Sequence, residues 1–495
     1  MSLTLFSAFK RRRQVPLASA LVLALCGCGG DSGPTEPPID ADTMVGAVTV
    51  SPDAVMVLMG ETRQLTATVE NVLGDTLVDR AVVWSSTNPS VVTVDSTGLV
   101  TGLDPGRAAI VATSGTQSSK ATVGKATVGV EPTYASISAG GNFYTCAVAT
   151  GGGGYCWGSN RFGQLGDGSM ADRLAPSRVL GVTLSHISAG AGATCGVAVS
   201  GQAYCWGFYT VVGSEACRAA GLCTTPVPVD SPGYFETVDM NIDHACGVTS
   251  EGAGYCWGWG AQGQLGSGEP TFSYAPVAVV GGLQFVQISA GQDHTCAVTG
   301  DDRAYCWGRN ISGQLGVHPD SVDCGASVPC SAEPVAVSGG ISFRSVGAGM
   351  SHSCGLTTDG AAYCWGGNSD GQLGDGTTTA SSLPVPVSGG LKFLSLTLFL
   401  RHTCGLTLDG IAWCWGYNRS GQLGDGTTTS RSTPVPVAGG LQFTAIDVGW
   451  SHTCAVTAEG VAYCWGANQH GELGDGTTED RLEAVRLEPP PESQI

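Results

Sequence analysis

The chain has 495 residues, 42% of them hydrophobic and only 13% charged, with 75 Gly and 24 Pro. That gives room for two or three domains with a packed, turn-rich core, and it excludes a charged disordered tail or a long coiled coil. The formal charge of -19, from 22 basic and 41 acidic residues, repels phosphate backbones, so no nucleic-acid partner is expected.

The amino terminus reads as an export address. Lys10-Arg11-Arg12-Arg13 precedes an apolar run from Val15 to Leu25, too short to span a bilayer and of the length of a secretory signal. Leu25-Cys26-Gly27-Cys28 resembles a bacterial lipobox, which implies cleavage and acylation at Cys28; plain signal cleavage is the alternative. Residues 1–28 are thus assigned to a lipoprotein signal and 29–46, rich in Pro, Gly and acid, to a solvated tether. Gly29 stands where many inner-membrane lipoproteins carry Asp, so the expected location is the outer membrane or cell surface, with the lipid as the only membrane contact.

From residue 47 to 130 short β-branched runs alternate with Gly and Pro turn signals, as in Leu65/Ala67/Val69 and Ile110/Ala112, the pattern of an antiparallel sandwich. The string VVWSSTNPSVVTVDSTGLVTGLDPGRAAIVAT (82–113) resembles the bacterial immunoglobulin-like group 2 domain. That resemblance implies a spacer or adhesive module with Trp84 in its core.

The remainder is repetitive. Cys-Trp-Gly recurs at Trp157, Trp206, Trp257, Trp307, Trp365, Trp415 and Trp465, spaced 49, 51, 50, 58, 50 and 50 residues apart. Each copy carries about four short strand patterns, joined by Gly-bearing turns and the segment GQLGDGT, the signature of radial β repetition. The copies resemble the repeats of the regulator-of-chromosome-condensation family. The expected fold is therefore all-β: a seven-bladed propeller over 134–487 after a small immunoglobulin-like sandwich, with a tail at 488–495.

Two cysteines ten residues apart occur in every copy: Cys146 and Cys156, Cys195 and Cys205, Cys246 and Cys256, Cys296 and Cys306, Cys354 and Cys364, Cys404 and Cys414, and Cys454 and Cys464. Across a hairpin such positions face each other, so seven intrablade disulfides are expected, each worth roughly 2 to 3 kcal/mol. Cys217 with Cys223, and Cys324 with Cys330, are expected to close small loops in inserted segments. Close-spaced metal-ligand pairs are lacking, and neither metal nor cofactor is expected.

His244, His294, His352, His402 and His452 each stand two residues before the first repeat cysteine. Blade rotation carries them apart, so a hydrogen bond within each blade is expected rather than a shared ion. Asp167, Asp375, Asp425 and Asp475 precede Gly as tight turns require, and are read as turn residues rather than calcium ligands. Motifs for nucleophilic, phosphate-binding or zinc-hydrolase chemistry do not occur in a fitting context, so no enzyme is expected.

Two positions vary while their surroundings repeat. The residue after Cys-Trp-Gly includes Phe208, Trp259, Arg309 and Tyr417; the position just before the inner strand includes Phe143, Ile242, Met350, Leu400 and Trp450. Aromatic, Arg and Met side chains on rim loops are the makings of an interface hot spot. The expected function is a non-enzymatic, monomeric, lipid-anchored platform for a protein or surface glycan; inhibition of an extracytoplasmic enzyme is the alternative. The family's guanine-nucleotide-exchange activity is the remotest reading, because an exported acidic protein meets no cytoplasmic GTPase.

Overall fold

The computed structural model describes residues 44–490 except positions 53, 59, 61, 104–105, 115–119, 122, 130–131, 232 and 326. The proposed signal, Cys28 and nearly all of the tether lie outside the described residues. Among the described residues, no helix is long and apolar enough to cross a membrane.

The amino-terminal unit is a set of short strands in which Val45–Ser51 pairs with Thr66–Asn71 and Gly106–Thr113 pairs with Val83–Ser86 and Val123–Gly129. Val48, Val57, Leu65, Val92, Val100 and Ile110 form its core, and Trp84 packs against that cluster half-buried. The expected core tryptophan is therefore a flank of the core.

Residues 134–486 form seven antiparallel four-stranded meanders. Blade 5 is representative: Phe343–Ala348, His352–Thr357, Ala362–Gly366 and Ser381–Pro386, each paired to the next. Each blade comes from one continuous stretch of chain. The exception in form is Arg173–Ala189, a 17-residue strand that serves both as the outer strand of blade 1 and as the first strand of blade 2. The first strands line the central channel, and the ring closes where Tyr134–Ala139 of blade 1 meets Ala445–Val448 of blade 7. The strand holding the first repeat cysteine is thus second from the axis, not innermost as expected.

All nine disulfides form. Within the blades Cys146 is bonded to Cys156, Cys195 to Cys205, Cys246 to Cys256, Cys296 to Cys306, Cys354 to Cys364, Cys404 to Cys414 and Cys454 to Cys464. In the insertions Cys217 is bonded to Cys223 and Cys324 to Cys330. The repeat pairs sit directly opposite across the second and third strands, as with Cys354 and Cys364 at 4.0 Å between Cα atoms.

Adjacent blades are sealed by one recurring joint. Every repeat tryptophan is fully buried, and its indole N–H donates to a main-chain carbonyl of the preceding blade: Trp365 to Gln314 and Trp415 to Gln372, at 2.9 and 3.0 Å. In six of the seven joints the same carbonyl accepts a hydroxyl from the tryptophan's own blade, as from Ser353 or Thr403. In five of these joints that hydroxyl in turn meets Nε2 of the preceding blade's histidine: His294 to Ser353 at 2.8 Å, His352 to Thr403 at 3.0 Å and, across the ring closure, His452 to Thr145 at 2.8 Å. The histidines therefore bond between blades, which corrects the expectation of a bond within each blade. Since the hydroxyl gives its proton to the carbonyl, the imidazole must donate through Nε2, and Nδ1 is left without a partner in all five. Burial pushes these imidazoles down to about 3, so they are neutral and shuttle no protons near neutral pH.

Candidate binding site at the channel mouth

In a meander, the loops between strands one and two and between strands three and four emerge at the same end. Both variable positions lie in those loops or, as with Phe208 and Arg309, at the strand end that enters them, and both insertions lie in the loops between strands three and four. The glycine of Cys-Trp-Gly explains the arrangement. Gly366 has φ +101°, and a Cβ there would stand 2.5 Å from the Ser351 carbonyl oxygen. The next residue turns back and donates its N–H to that same carbonyl, as Gly367 to Ser351, Trp259 to Asp243, Arg309 to Asp293 and Tyr417 to Arg401. The fold uses only main-chain atoms at these positions, so their side chains are free to differ from blade to blade.

Five of the nine rim candidates converge. Ile242, Met350, Leu400, Tyr417 and Trp450 line one concavity of about 490 Å³ at the channel mouth, together with Gln292, Arg401 and Ser451. Phe143 joins from blade 1: its ring stacks on Trp450 at 6.0 Å and on His470 at 5.2 Å. Asn142 and Phe143 both adopt left-handed backbone, φ +51° and +62°, which holds the blade 1 loop in this shape at a conformational cost of about 1 kcal/mol each. Leu400 is buried and belongs to the floor rather than to an exposed rim.

The other three candidates lie outside the concavity. Phe208 packs on Phe162 at 5.4 Å, Trp259 on Phe272 at 6.4 Å, and Arg309 forms an ion pair with Asp293 at 3.0 Å. The first insertion folds as a short helix, Glu215–Ala220, closed by the bond between Cys217 and Cys223, and its Arg218 lies over the Tyr274 ring at 5.4 Å.

The floor holds a residue that the sequence reading missed. Phe399 stands where other blades carry Gly140, Gly190, Gly291, Gly349 and Gly449, and it is buried at the head of the channel. Its ring tip would lie 3.3 Å from a Cβ placed on Gly141, so it spans from blade 6 to blade 1 and floors the mouth. Below it the channel turns polar. Ser138, Ser188, Asp239, Ser289 and Asp447 each accept a main-chain N–H from the next blade, for example Ala139 to Asp447 at 3.0 Å and Ala290 to Asp239 at 2.9 Å. Burial pushes the Asp447 carboxyl up to about 6 and raises Asp239 as well. The signal was a small polar residue at the same place in successive first strands.

The GDG aspartates organise turns. Asp425 Oδ1 accepts the Thr427 N–H at 3.0 Å while Oδ2 takes Arg431 Nε at 3.0 Å, and Asn418 braces the same turn through Leu423 N–H at 2.9 Å. Among the described residues, no group of three or more His, Cys, Asp or Glu is placed to hold a metal.

Comparison with known families agrees with this architecture. Residues 269–495 match the RCC1-like domain, 152–197 the regulator of chromosome condensation (RCC1) repeat, and 44–124 the bacterial Ig-like domain (group 2). The chain is 31% identical to the Ultraviolet-B receptor UVR8 of Arabidopsis thaliana over 233 residues, 45% of this chain and 50% of the receptor. It is 30% identical to the E3 ubiquitin-protein ligase HERC2 of Homo sapiens over 49% of this chain and 4% of the ligase. The chain thus spans half or less of these relatives. Among solved structures, human WBSCR16 aligns with a TM-score of 0.59 at 22% identity, covering 68% of this chain and 94% of that one. Yeast RCC1 (Prp20), solved with Kap60, aligns at 0.60 and 18% identity, covering 72% and 84%. At these identities the likeness is one of fold.

Proposed function

We propose, for a chain that carries a propeller of regulator-of-chromosome-condensation repeats behind a bacterial immunoglobulin-like group 2 domain, that the propeller mouth is a protein-binding platform without catalytic activity. The observation that carries this reading is the convergence of Ile242, Met350, Leu400, Tyr417 and Trp450 on one concavity, with Phe143 stacked at its edge. Large apolar and aromatic side chains around a preformed depression supply the buried anchor point on which interface affinity concentrates. Nine disulfides and the Ig-like module mark an extracellular protein. In our reading Cys28 carries the lipid that holds it at the cell surface, and the Ig-like unit is the spacer.

The test is capture from a cell-envelope extract by the full, oxidised chain beside a Tyr417→Ala/Trp450→Ala variant. A protein held by the parent and bound at least a hundredfold more weakly by the folded variant is the expected result. The same set of proteins on both, or none on either, would sink the reading. An enzyme among the captured proteins, inhibited on binding, would make the platform an inhibitor; release by free sugars would make the ligand a glycan.

A further inference from the structure

The charged groups around the mouth do not cancel evenly. Arg309 is tied to Asp293 at 3.0 Å and Arg401 to Asp370 at 3.4 Å. Asp243 is exposed in blade 3, directly after Ile242 of the concavity, and no basic group among the described residues pairs with it. Partial desolvation of its carboxyl, and then the neighbouring Asp293, raise it. Beside it stands Trp259, 48% exposed, whose main-chain N–H is fixed to the Asp243 carbonyl at 2.7 Å. Phe272 meets the Trp259 ring at 69° and Tyr274 at 4.3 Å, so the indole is backed by aromatic rings.

A carboxylate without a basic partner, on the residue whose carbonyl holds the main chain of an exposed indole, makes a corner suited to a cation, which gains from the charge and from the ring face together. We propose that the Trp259–Asp243 corner receives a lysine or arginine of a partner protein whose neighbouring apolar side chain fills the concavity. This rests on the platform reading above and names the chemistry of its partner. The excess acid of the chain, -19 overall, draws the same basic surface toward the mouth before contact.

The experiment is an array of synthetic decapeptides with a central Leu, Met, Phe or Trp and Lys, Gln or Glu at each flanking position. It is read with full-length oxidised protein and with Asp243→Arg, Trp259→Ala and Met350→Arg, each checked for native near-ultraviolet dichroism. Lys peptides are expected to bind the parent about tenfold better than Glu peptides, Asp243→Arg to reverse the order, and Trp259→Ala to weaken Lys peptides about threefold or more. Binding that is lost in Met350→Arg but shows no charge preference, or a preference untouched by Asp243→Arg, overturns this inference and leaves the platform standing. If no peptide binds, or if Met350→Arg binds like the parent, both fall.

Discussion

The joint between blades 5 and 6 and the joint between blades 2 and 3 bear the same load with different chemistry. In the first, His352 meets Thr403 at 3.0 Å, Thr403 meets the Gln372 carbonyl at 3.1 Å, and Trp415 shares that carbonyl. In the second, the histidine position is Ala193 and the hydroxyl position is Ala245, both fully buried. The GQLG turn is replaced by the insertion, whose Val211 carbonyl still receives Trp257 at 2.9 Å. The tryptophan bond is kept and the polar pair is removed whole. A buried donor without its acceptor costs more than an apolar pair gains or loses, so an apolar residue at one position goes with an apolar residue at the other, whereas between blades 1 and 2 Tyr144 replaces the histidine and still bonds the Thr194 hydroxyl at 3.1 Å.

That contrast can be broken most forcefully with acid. The five imidazoles sit near 3 when folded against 6.5 when free, so below pH 6.5 the unfolded chain binds protons that the folded chain refuses. Their contribution is complete above pH 6.5 and drains away as pH falls toward 3. At pH 4.5 the five together have lost on the order of 10 kcal/mol, offset in part by the raised carboxyls of Asp239, Asp447 and Glu472. Denaturant midpoints at pH 7.5 and 4.5 measure this; a midpoint that does not move contradicts the joint as described.

A smaller effect tests blade 7, where Glu472 takes the place of Gln164, Gln264, Gln314, Gln372 and Gln422. Its side chain is fully buried, Oε1 has no partner, and burial pushes the carboxyl up to about 7. A raised carboxyl favours folding at low pH and opposes it once ionised. Glu472→Gln is therefore expected to stabilise by about 1 to 3 kcal/mol at pH 8 and to lose that gain toward pH 4.5. Equal stability of the two proteins at pH 8 would refute it.

The smallest effect sharpens the comparison itself. Thr403→Val leaves the His352 N–H without an acceptor and should cost about 1 to 3 kcal/mol. In the opposite direction, Ala193→His and Ala245→Thr should each destabilise alone and couple favourably by about 0.5 kcal/mol or more in the double variant. Additive values would mean that the polar pair does not act as a unit.

Much of this was legible in the sequence because it is local. Cys354 and Cys364 face each other within one hairpin, and a period of about 50 residues around Trp365 announces one blade per repeat. The variable positions stood out because Gly366 fixes the main chain and leaves the next side chain unconstrained. What was not legible depends on contacts one blade away. The direction of His352 is settled by Thr403, some 50 residues on, and no spacing rule within a repeat reveals it. Phe399 is not singled out by the repeat, since its role depends on how near blade 1 comes across the axis. The convergence of Met350 and Trp450, without Phe208, likewise needed the ring closed.

The placement of the disulfides has a mechanical side. Each of the seven repeat bridges joins the second and third strands of one blade, so covalent links run within blades, and among the described residues no disulfide crosses a joint. Tension applied through the amino-terminal unit arrives at the Tyr134–Ala139 strand, which is held to blade 7 by Tyr134–Gly460 and Ala139–Asp447, while the strand after it is held by Thr145–His452. The ring is expected to yield at its seam first. Each blade that peels away gives up only part of its contour, because the residues inside its bridge, about 35 Å of chain, cannot be drawn out. Extension under load is therefore expected to come in steps shortened by these bridges, and a reductant to lengthen them.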